Sequence, residues 1–251
     1  IDFYGANINF TSQGAYASSL SKYSGRVLEL LAEGALQPNF TQTEFDKEKA
    51  KLIEGLKADE KSVPAIASRV VDVLAFGKNH PSGEYLSEAT VKNVTLADVQ
   101  SNYATYFVPE NAYLVIIGDV KFKETKAAVE KLFSGWKKQT APKNTYPNPE
   151  NVSQLQIDFV DVPNAVQSEI SLVNTVNLRM SDPDFFPAVI ANQILGGDFN
   201  SYLNMNLREQ HAWTYGASSS IGSGKYVTKF KASSAVRNTV TDSAVVQFIK
   251  E

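Results

Sequence analysis

Arg208 and Tyr215 stand seven residues apart in the stretch 195–216, LGGDFNSYLNMNLREQHAWTYG, and between them they could do carbonyl chemistry. A guanidinium is a permanent planar cation with several donors, and a phenol donates one more hydrogen bond. Such a pair can bind a peptide carbonyl and stabilise an oxyanion without itself holding a metal. The surrounding elements must aim them. Gly196 and Gly197 in a row predict a helix end, because only residues without a Cβ enter left-handed conformations cheaply. Leu203 and Leu207, four apart, then predict a fresh short helix with Ser201 near its start. Tyr215, Ala217 and Ser219 alternate as the opening of a strand does. An Arg at a helix end and a Tyr at a strand start can face one cleft. The spacing also fits a plainer arrangement, a helical hairpin leading into a strand with Arg208 solvated and Tyr215 half-buried.

Metal-assisted hydrolysis would need three His or carboxylate ligands, an open position for water and a nearby base. The chain has two His and no Cys. His80 sits in the turn-like loop FGKNHPSGEY and reads as a surface or loop-packing residue, whereas His211, between Arg208 and Tyr215, is a candidate substrate contact. Neither belongs to an H-x-x-E-H or H-E-x-x-H pair. Glu44, Glu48, Glu54 and Glu60, interleaved with Lys47, Lys51 and Lys57, read as the solvated face of a helix carrying exposed charge pairs.

With 251 residues, 43% of them apolar, the chain is long enough for one large domain or two ordinary ones and has the apolar content of a packed globular protein. A net charge of -3 offers no basic field to a phosphate backbone, so nucleic acid is not an expected partner. No run approaches about eighteen consecutive apolar residues, so no membrane-spanning helix is expected. The lack of Cys excludes disulfides and thiolate metal sites without deciding the compartment. The chain opens on IDFYGAN without a Met and stops on VVQFIKE inside an apolar helical pattern. It is therefore expected to be a fragment of a longer protein.

Residues 7–21 alternate around Gln13 and Gly14 and predict two antiparallel strands with a tight turn. Helices are expected at 25–36, at 43–61 with Thr43 as N-cap and Asp46 three residues on, after Pro64, after Thr95 with Asp98 three residues on, and at 122–133. The run AYLVIIG at 112–118 predicts a strand with a covered face. Residues 139–154 hold three prolines and no long apolar run, the best candidate for a linker between a first domain, 1–138, and a second, 155–251. After it come expected strands at 156–160, 167–176 and 226–234, a helix at 183–195, and a last helix. This order predicts an α+β fold, with an antiparallel or mixed sheet sandwiched with helices in each half.

The stretch around Arg208 resembles the second-domain signature of the pitrilysin/insulinase family of zinc peptidases, in which LGG-x-F-x-S-R-L precedes LRE and a Tyr follows seven residues after that Arg. The likeness rests on Leu195, Gly196, Gly197, Phe199, Ser201, Leu203, Leu207, Arg208, Glu209, Tyr215 and Gly216; Tyr202 departs from the family's usual Arg. The resemblance implies a clamshell half built of two similar domains, the first lacking its N-terminal part and the second its C-terminal part. It implies that Arg208 and Tyr215 reach substrate beside a zinc carried by the other domain; Gly197, Phe199, Ser201 and His211 around them are the candidate substrate-binding positions. The family's H-x-x-E-H motif would lie upstream of Ile1. Its third ligand, a Glu seven residues after another Glu, falls here on Gly55, with Glu48 matching the earlier acid. Glu54, one residue away, is turned by about 100° around the helix. Gly5 and Asn9 match the strand after the zinc motif, but Phe10 replaces a small residue there, as in a rebuilt or vacant cleft.

No zinc is therefore expected in this chain; it is expected in a partner chain or an upstream segment. Three functions remain open at this point. The chain is the non-zinc subunit of a two-part peptidase that lends Arg208 and Tyr215 to a zinc-motif homologue, in a homo- or heterodimer acting on peptide. It is a self-sufficient zinc endopeptidase whose motif lies upstream. Or it is a non-enzymatic scaffold, which Tyr202 favours and the retained Arg208 and Tyr215 disfavour. The wording is closest to bacterial members, for which an exported, periplasmic location is expected.

Overall fold

The structure, a computed structural model, describes residues 2–251. In chain order it holds a hairpin of β1 (Asn7–Thr11) and β2 (Gly14–Ser18), then helices α1 (Ser24–Leu36), α2 (Gln42–Asp59), α3 (Val63–Phe76), α4 (Glu88–Asn93), α5 (Leu96–Tyr106) and α6 (Phe122–Leu132). Strand β3 (Gln167–Val176), helix α7 (Phe185–Asn192), the short helix α8 (Tyr202–Asn204), strands β4 (Ala217–Ile221) and β5 (Thr228–Arg237), and helix α9 (Thr241–Lys250) follow. Contacts group these into two compact units: residues up to Lys51 with Lys92–Asn144, and Leu52–Val91 with Thr145–Glu251. The mixture of helices with antiparallel sheets is the expected α+β class.

In the first unit, Thr11 pairs with Gly14 and Asn7 with Ser18, so a two-residue loop closes the hairpin. The Thr11 hydroxyl donates to the Gly14 carbonyl at 3.1 Å and accepts from the Gln13 amide at 3.3 Å, stapling that loop. Phe10 lies against α1 at Gly34, where an added Cβ would stand 2.5 Å from its ring. A large residue on the strand is thus matched by a missing side chain on the helix. The rings of Phe40, Tyr103, Phe107 and Trp136 follow one another at centroid separations of 5.4, 5.0 and 4.9 Å. The Tyr103 hydroxyl donates to the Ala35 carbonyl at 2.6 Å, joining α5 to α1, and burial raises that phenol above its ordinary pKa.

In the second unit, β5 is the central strand of a three-stranded antiparallel sheet, β3-β5-β4. Ile170, Leu203, Leu207, Ala217, Ala232, Val236, Ala244 and Phe248 make its core, so α9 and the segment carrying Arg208 both pack on this sheet. Helix α3 packs on β3, and Lys229 of β5 pairs with Asp72 of α3. Ser62 caps α3 by accepting from the Ala65 amide at 3.4 Å, with Pro64 in the first turn.

The structure departs from the sequence-based expectation in four places. The start of α2 is held by Thr41, whose hydroxyl accepts from the Glu44 amide at 3.3 Å, and Thr43 lies inside the helix. Residues 112–118 and 156–160 form no ladder: Tyr113, Val115 and Ile117 are 94%, 75% and 91% exposed. Apolar and β-branched residues give β propensity, but a strand exists only where a neighbour accepts and donates its backbone hydrogen bonds, and none lies beside these segments among the described residues. Finally, Gly196 and Gly197 do not take left-handed angles. They belong to a π-helical turn, Gln193–Gly197, that continues α7, and they are needed for close approach rather than for φ.

Candidate functional site

The segment from α7 to β4 is built by two π-helical turns, Gln193–Gly197 and Met205–Gln210, on either side of α8. An i→i+5 turn carries one extra residue and re-aims the side chains that follow it, a device often found at functional sites. The first is pinned to β4. The Ser219 hydroxyl donates to Asn192 Oδ1 at 2.9 Å, and Asn192 Nδ2 donates to the Ser219 carbonyl at 3.3 Å. A Cβ on Gly196 would stand 2.3 Å from the Ser219 amide nitrogen, and one on Gly197 2.7 Å from Gln193 Oε1. Gly197 thus serves the close packing of its own turn.

Phe199 follows on an exposed bend held by Asp198, whose carboxylate accepts from the Asn200 amide at 3.1 Å and from Gln193 Nε2 at 3.3 Å. The Arg208 guanidinium lies over the Phe199 ring, 4.5 Å from its centroid. It also approaches the Glu209 carboxylate at 3.5 Å, with both side chains partly exposed. Stacking of this kind restrains the cation while leaving the guanidinium N–H groups that do not face Glu209 to meet a ligand. Ser201 precedes α8 and is buried, but its hydroxyl has no hydrogen-bond partner among the described residues and caps nothing. In this arrangement it does not face an open binding surface.

Beyond the second π turn, the His211 ring stacks on Trp213 at 4.1 Å and 16° between planes, and Ala212 between them has φ of 52°. The Trp213 amide donates to the Leu207 carbonyl and the Ala212 amide to that of Arg208, both at 3.0 Å. The helix end is therefore closed by a left-handed residue that is not Gly. Tyr215 stands next, just before β4, with its side chain 93% exposed. Its neighbours are fixed: the Thr214 hydroxyl accepts from the Gly216 amide at 3.1 Å, and the Ser234 hydroxyl donates to the Gly216 carbonyl at 2.9 Å. A free phenol is thus carried on a clamped backbone, and among the described residues no hydrogen bond joins it to Arg208. Asn192, Asn204 and Ser234, which hold this segment, were not singled out from the sequence. The one available signal was Asn inside an apolar helical pattern, where its propensity is poor and a specific partner is the usual compensation.

The described residues do not make a zinc site. No group of three or more His, Asp or Glu is placed to hold a metal among them. His80 stacks on Phe76 at 5.4 Å and its Nδ1 accepts from the Ser82 amide at 3.1 Å, the loop-packing role read from its context. Position 55 of α2 is Gly with nothing within 4 Å of a notional Cβ, and the acids before it form exposed pairs, Glu44 with Lys47 at 3.5 Å and Glu48 with Lys51 at 3.8 Å.

The family model described as the peptidase M16 inactive domain matches residues 93–251, more than half of the chain. The chain belongs to the peptidase M16 family. Its M16 inactive-domain match takes in the whole segment from α7 to α9. The chain is 22% identical over 223 residues to the uncharacterized zinc protease YmxG of Bacillus subtilis, covering 85% of this chain and 52% of that protein. It is 20% identical over 197 residues to the non-peptidase homolog YmxG of Helicobacter pylori, covering 78% of this chain and 45% of that protein. The M16 chain thus spans about half the length of these curated relatives. The crystal structure of a peptidase M16 inactive domain from Pseudomonas fluorescens superposes with a TM-score of 0.80 at 20% identity, over 100% of this chain and 63% of that one, and shows the shared fold. Among the described residues, no helix of the M16 chain is long and apolar enough to cross a membrane.

Proposed function

We propose that this chain is the non-zinc member of a two-part M16 peptidase, lending Arg208 and Tyr215 to a substrate site whose metal and general base belong to a partner chain carrying the zinc motif. The observation that supports it is the contrast within the second unit. Arg208 is stacked on Phe199, partly exposed and beside Glu209, and Tyr215 is exposed on a clamped backbone, while the described residues offer no group of three or more metal-ligating side chains. Arg208 binds the carbonyl of an extended peptide, and the Tyr215 hydroxyl donates to the oxygen that gains charge as that carbonyl is attacked. Both donors act through hydrogen bonds and charge alone. Phe199 supports the guanidinium, and His211, stacked on Trp213, borders the peptide beside it.

In the complex with a zinc-motif homologue from the same source, Arg208→Ala or Tyr215→Phe is expected to lower hydrolysis of an unstructured fluorogenic peptide by about a hundredfold, the scale of one lost oxyanion donor. Wild-type turnover in both variants would sink the reading. In the same reading, residues 1–138 and 155–251 are successive family domains joined by 139–154, and the protein is exported to a bacterial periplasm, which fractionation of the native host tests.

A second reading is supported by the name of the Helicobacter pylori relative, a non-peptidase homolog, and by Tyr202 in the family's usual Arg position. The chain would then be an assembly subunit without chemistry. It predicts a stable complex whose turnover ignores both substitutions.

A further inference from the structure

We infer that Asn204 is a positioning residue that sets the Arg208 arm and the Tyr215 arm of the site against each other. The inference rests on the function proposed above. Asn204 is 4% exposed and sits on α8, away from any open surface. Its Nδ2 donates to the Phe199 carbonyl at 2.7 Å, and its Oδ1 accepts from the Ala217 amide at 3.2 Å. Only this orientation of the amide works, since the reverse would face oxygen to oxygen and N–H to N–H. Phe199 carries the guanidinium of Arg208, 4.5 Å from its ring. Ala217 begins β4 two residues after Tyr215, and Oδ1 also stands 3.8 Å from where a Cβ on Gly216 would be. One planar side chain therefore joins the bend under the cation to the strand start beside the phenol.

The side chains next to the two groups each hold one arm. Thr214 and Ser234 fix Gly216, and Asp198 fixes the bend at Phe199. Among the described hydrogen bonds, Asn204 alone bonds directly to both the Phe199 bend and the first residue of β4; the first π turn is tied to β4 only further along, through Asn192 and Ser219. Both of its partners are backbone groups near the buried core, so its removal leaves a carbonyl and an amide unpaired and releases each arm to find another partner. A shift of about 1 Å in one of two cooperating groups is enough to cost on the order of a hundredfold in rate.

The test uses the full chain with its zinc-motif homologue and an unstructured fluorogenic peptide, with Asn204→Ala and Asn204→Asp. The aspartate keeps the acceptor for Ala217 and loses the donor to Phe199, and unaltered exchange of β3 and α9 shows that each variant is folded. Asn204→Ala is expected to lower kcat/KM at least about tenfold, and to add little in an Arg208→Ala, Tyr215→Phe background, because residues acting through one another are not additive. The same loss on top of that background would overturn the inference, as would wild-type turnover of Asn204→Ala while Arg208→Ala alone is damaging. Hydrogen exchange separates this from the function itself. The Ala217 amide should exchange faster in Asn204→Ala and stay protected in Asn204→Asp, with β3 and α9 unchanged in both. If Arg208 and Tyr215 prove irrelevant to turnover, the proposed function fails, and the exchange decides for Asn204: an unaltered Ala217 amide overturns its role and a selective loss of protection supports it.

Discussion

At residue scale the segment around the site is limited by backbone approach in one place and by backbone angle in another. Gly196 faces the Ser219 amide, where a Cβ would stand at 2.3 Å and the neighbour is main chain that cannot rotate away. Gly196→Ala should therefore destabilise the protein by about 1–3 kcal/mol, the cost of overpacking, seen as a lower urea midpoint. An unchanged midpoint would mean that the π turn moves off β4 freely. Ala212 is the converse, with φ of 52° and a Cβ in a region that disfavours one. Ala212→Gly should raise stability by up to about 1 kcal/mol, the strain removed being partly offset by the entropy of Gly in the unfolded chain. A lower midpoint would show that the Ala methyl is needed in packing. Neither limit follows from residue type. Two adjacent glycines signal a special backbone, and it takes the strand lying across them to say that the need is space.

At the scale of elements, the Thr95 cap and the β1–β2 hairpin are legible in the local sequence, and strand pairing over longer range is not. Thr95 and Asp98 form the reciprocal box expected of their spacing: the Asp98 amide donates to the Thr95 hydroxyl at 3.2 Å and the Thr95 amide to the Asp98 carboxylate at 2.8 Å. Hydrogen bonds from the Thr95 hydroxyl and then its amide hold the Asp98 carboxyl below its ordinary pKa. The folded state thus binds this proton more weakly than the unfolded state does. The contribution is fully present above the ordinary carboxylate value and is lost as pH falls through the depressed one. Thermal melts of wild type and Asp98→Asn should differ most near neutral pH and converge in acid; a gap that does not depend on pH would contradict the assignment. The start of α2 is held by Thr41, two residues before Thr43, since both are good caps and the local pattern tolerates either. Segments 112–118 and 156–160 have the apolar, β-branched and aromatic residues of strands, yet pairing depends on what lies alongside, which local sequence does not encode.

At the scale of the molecule, the division of contacts and the division by composition cut the chain in different ways. Proline-rich 139–154 separates two halves along the sequence, whereas residues 52–91 share a compact unit with 145–251, through α3 on β3 and Lys229 with Asp72. Trypsin is expected to cut after exposed Lys143. The nicked protein should nevertheless migrate as one species in size exclusion, because part of the second unit lies on each side of the cut. Clean separation of the two fragments would instead favour independent domains bounded at 138 and 155.

The sequence by itself determined the M16 likeness, the α+β class, most helix positions, and the presence of Gly55 where the family resemblance implies a ligand. These are matters of residue type at short spacing, and short spacing is what helices, caps and signatures are made of. Only the tertiary structure decided that Gly196 is small because Ser219 lies across it, that Phe10 rests on Gly34, that Arg208 is stacked on Phe199 while Tyr215 stands free, and that Asn204 joins their two arms. Each of those depends on groups brought together from different elements or turns, and a buried amide is defined by its partners, which no reading of one residue after another supplies.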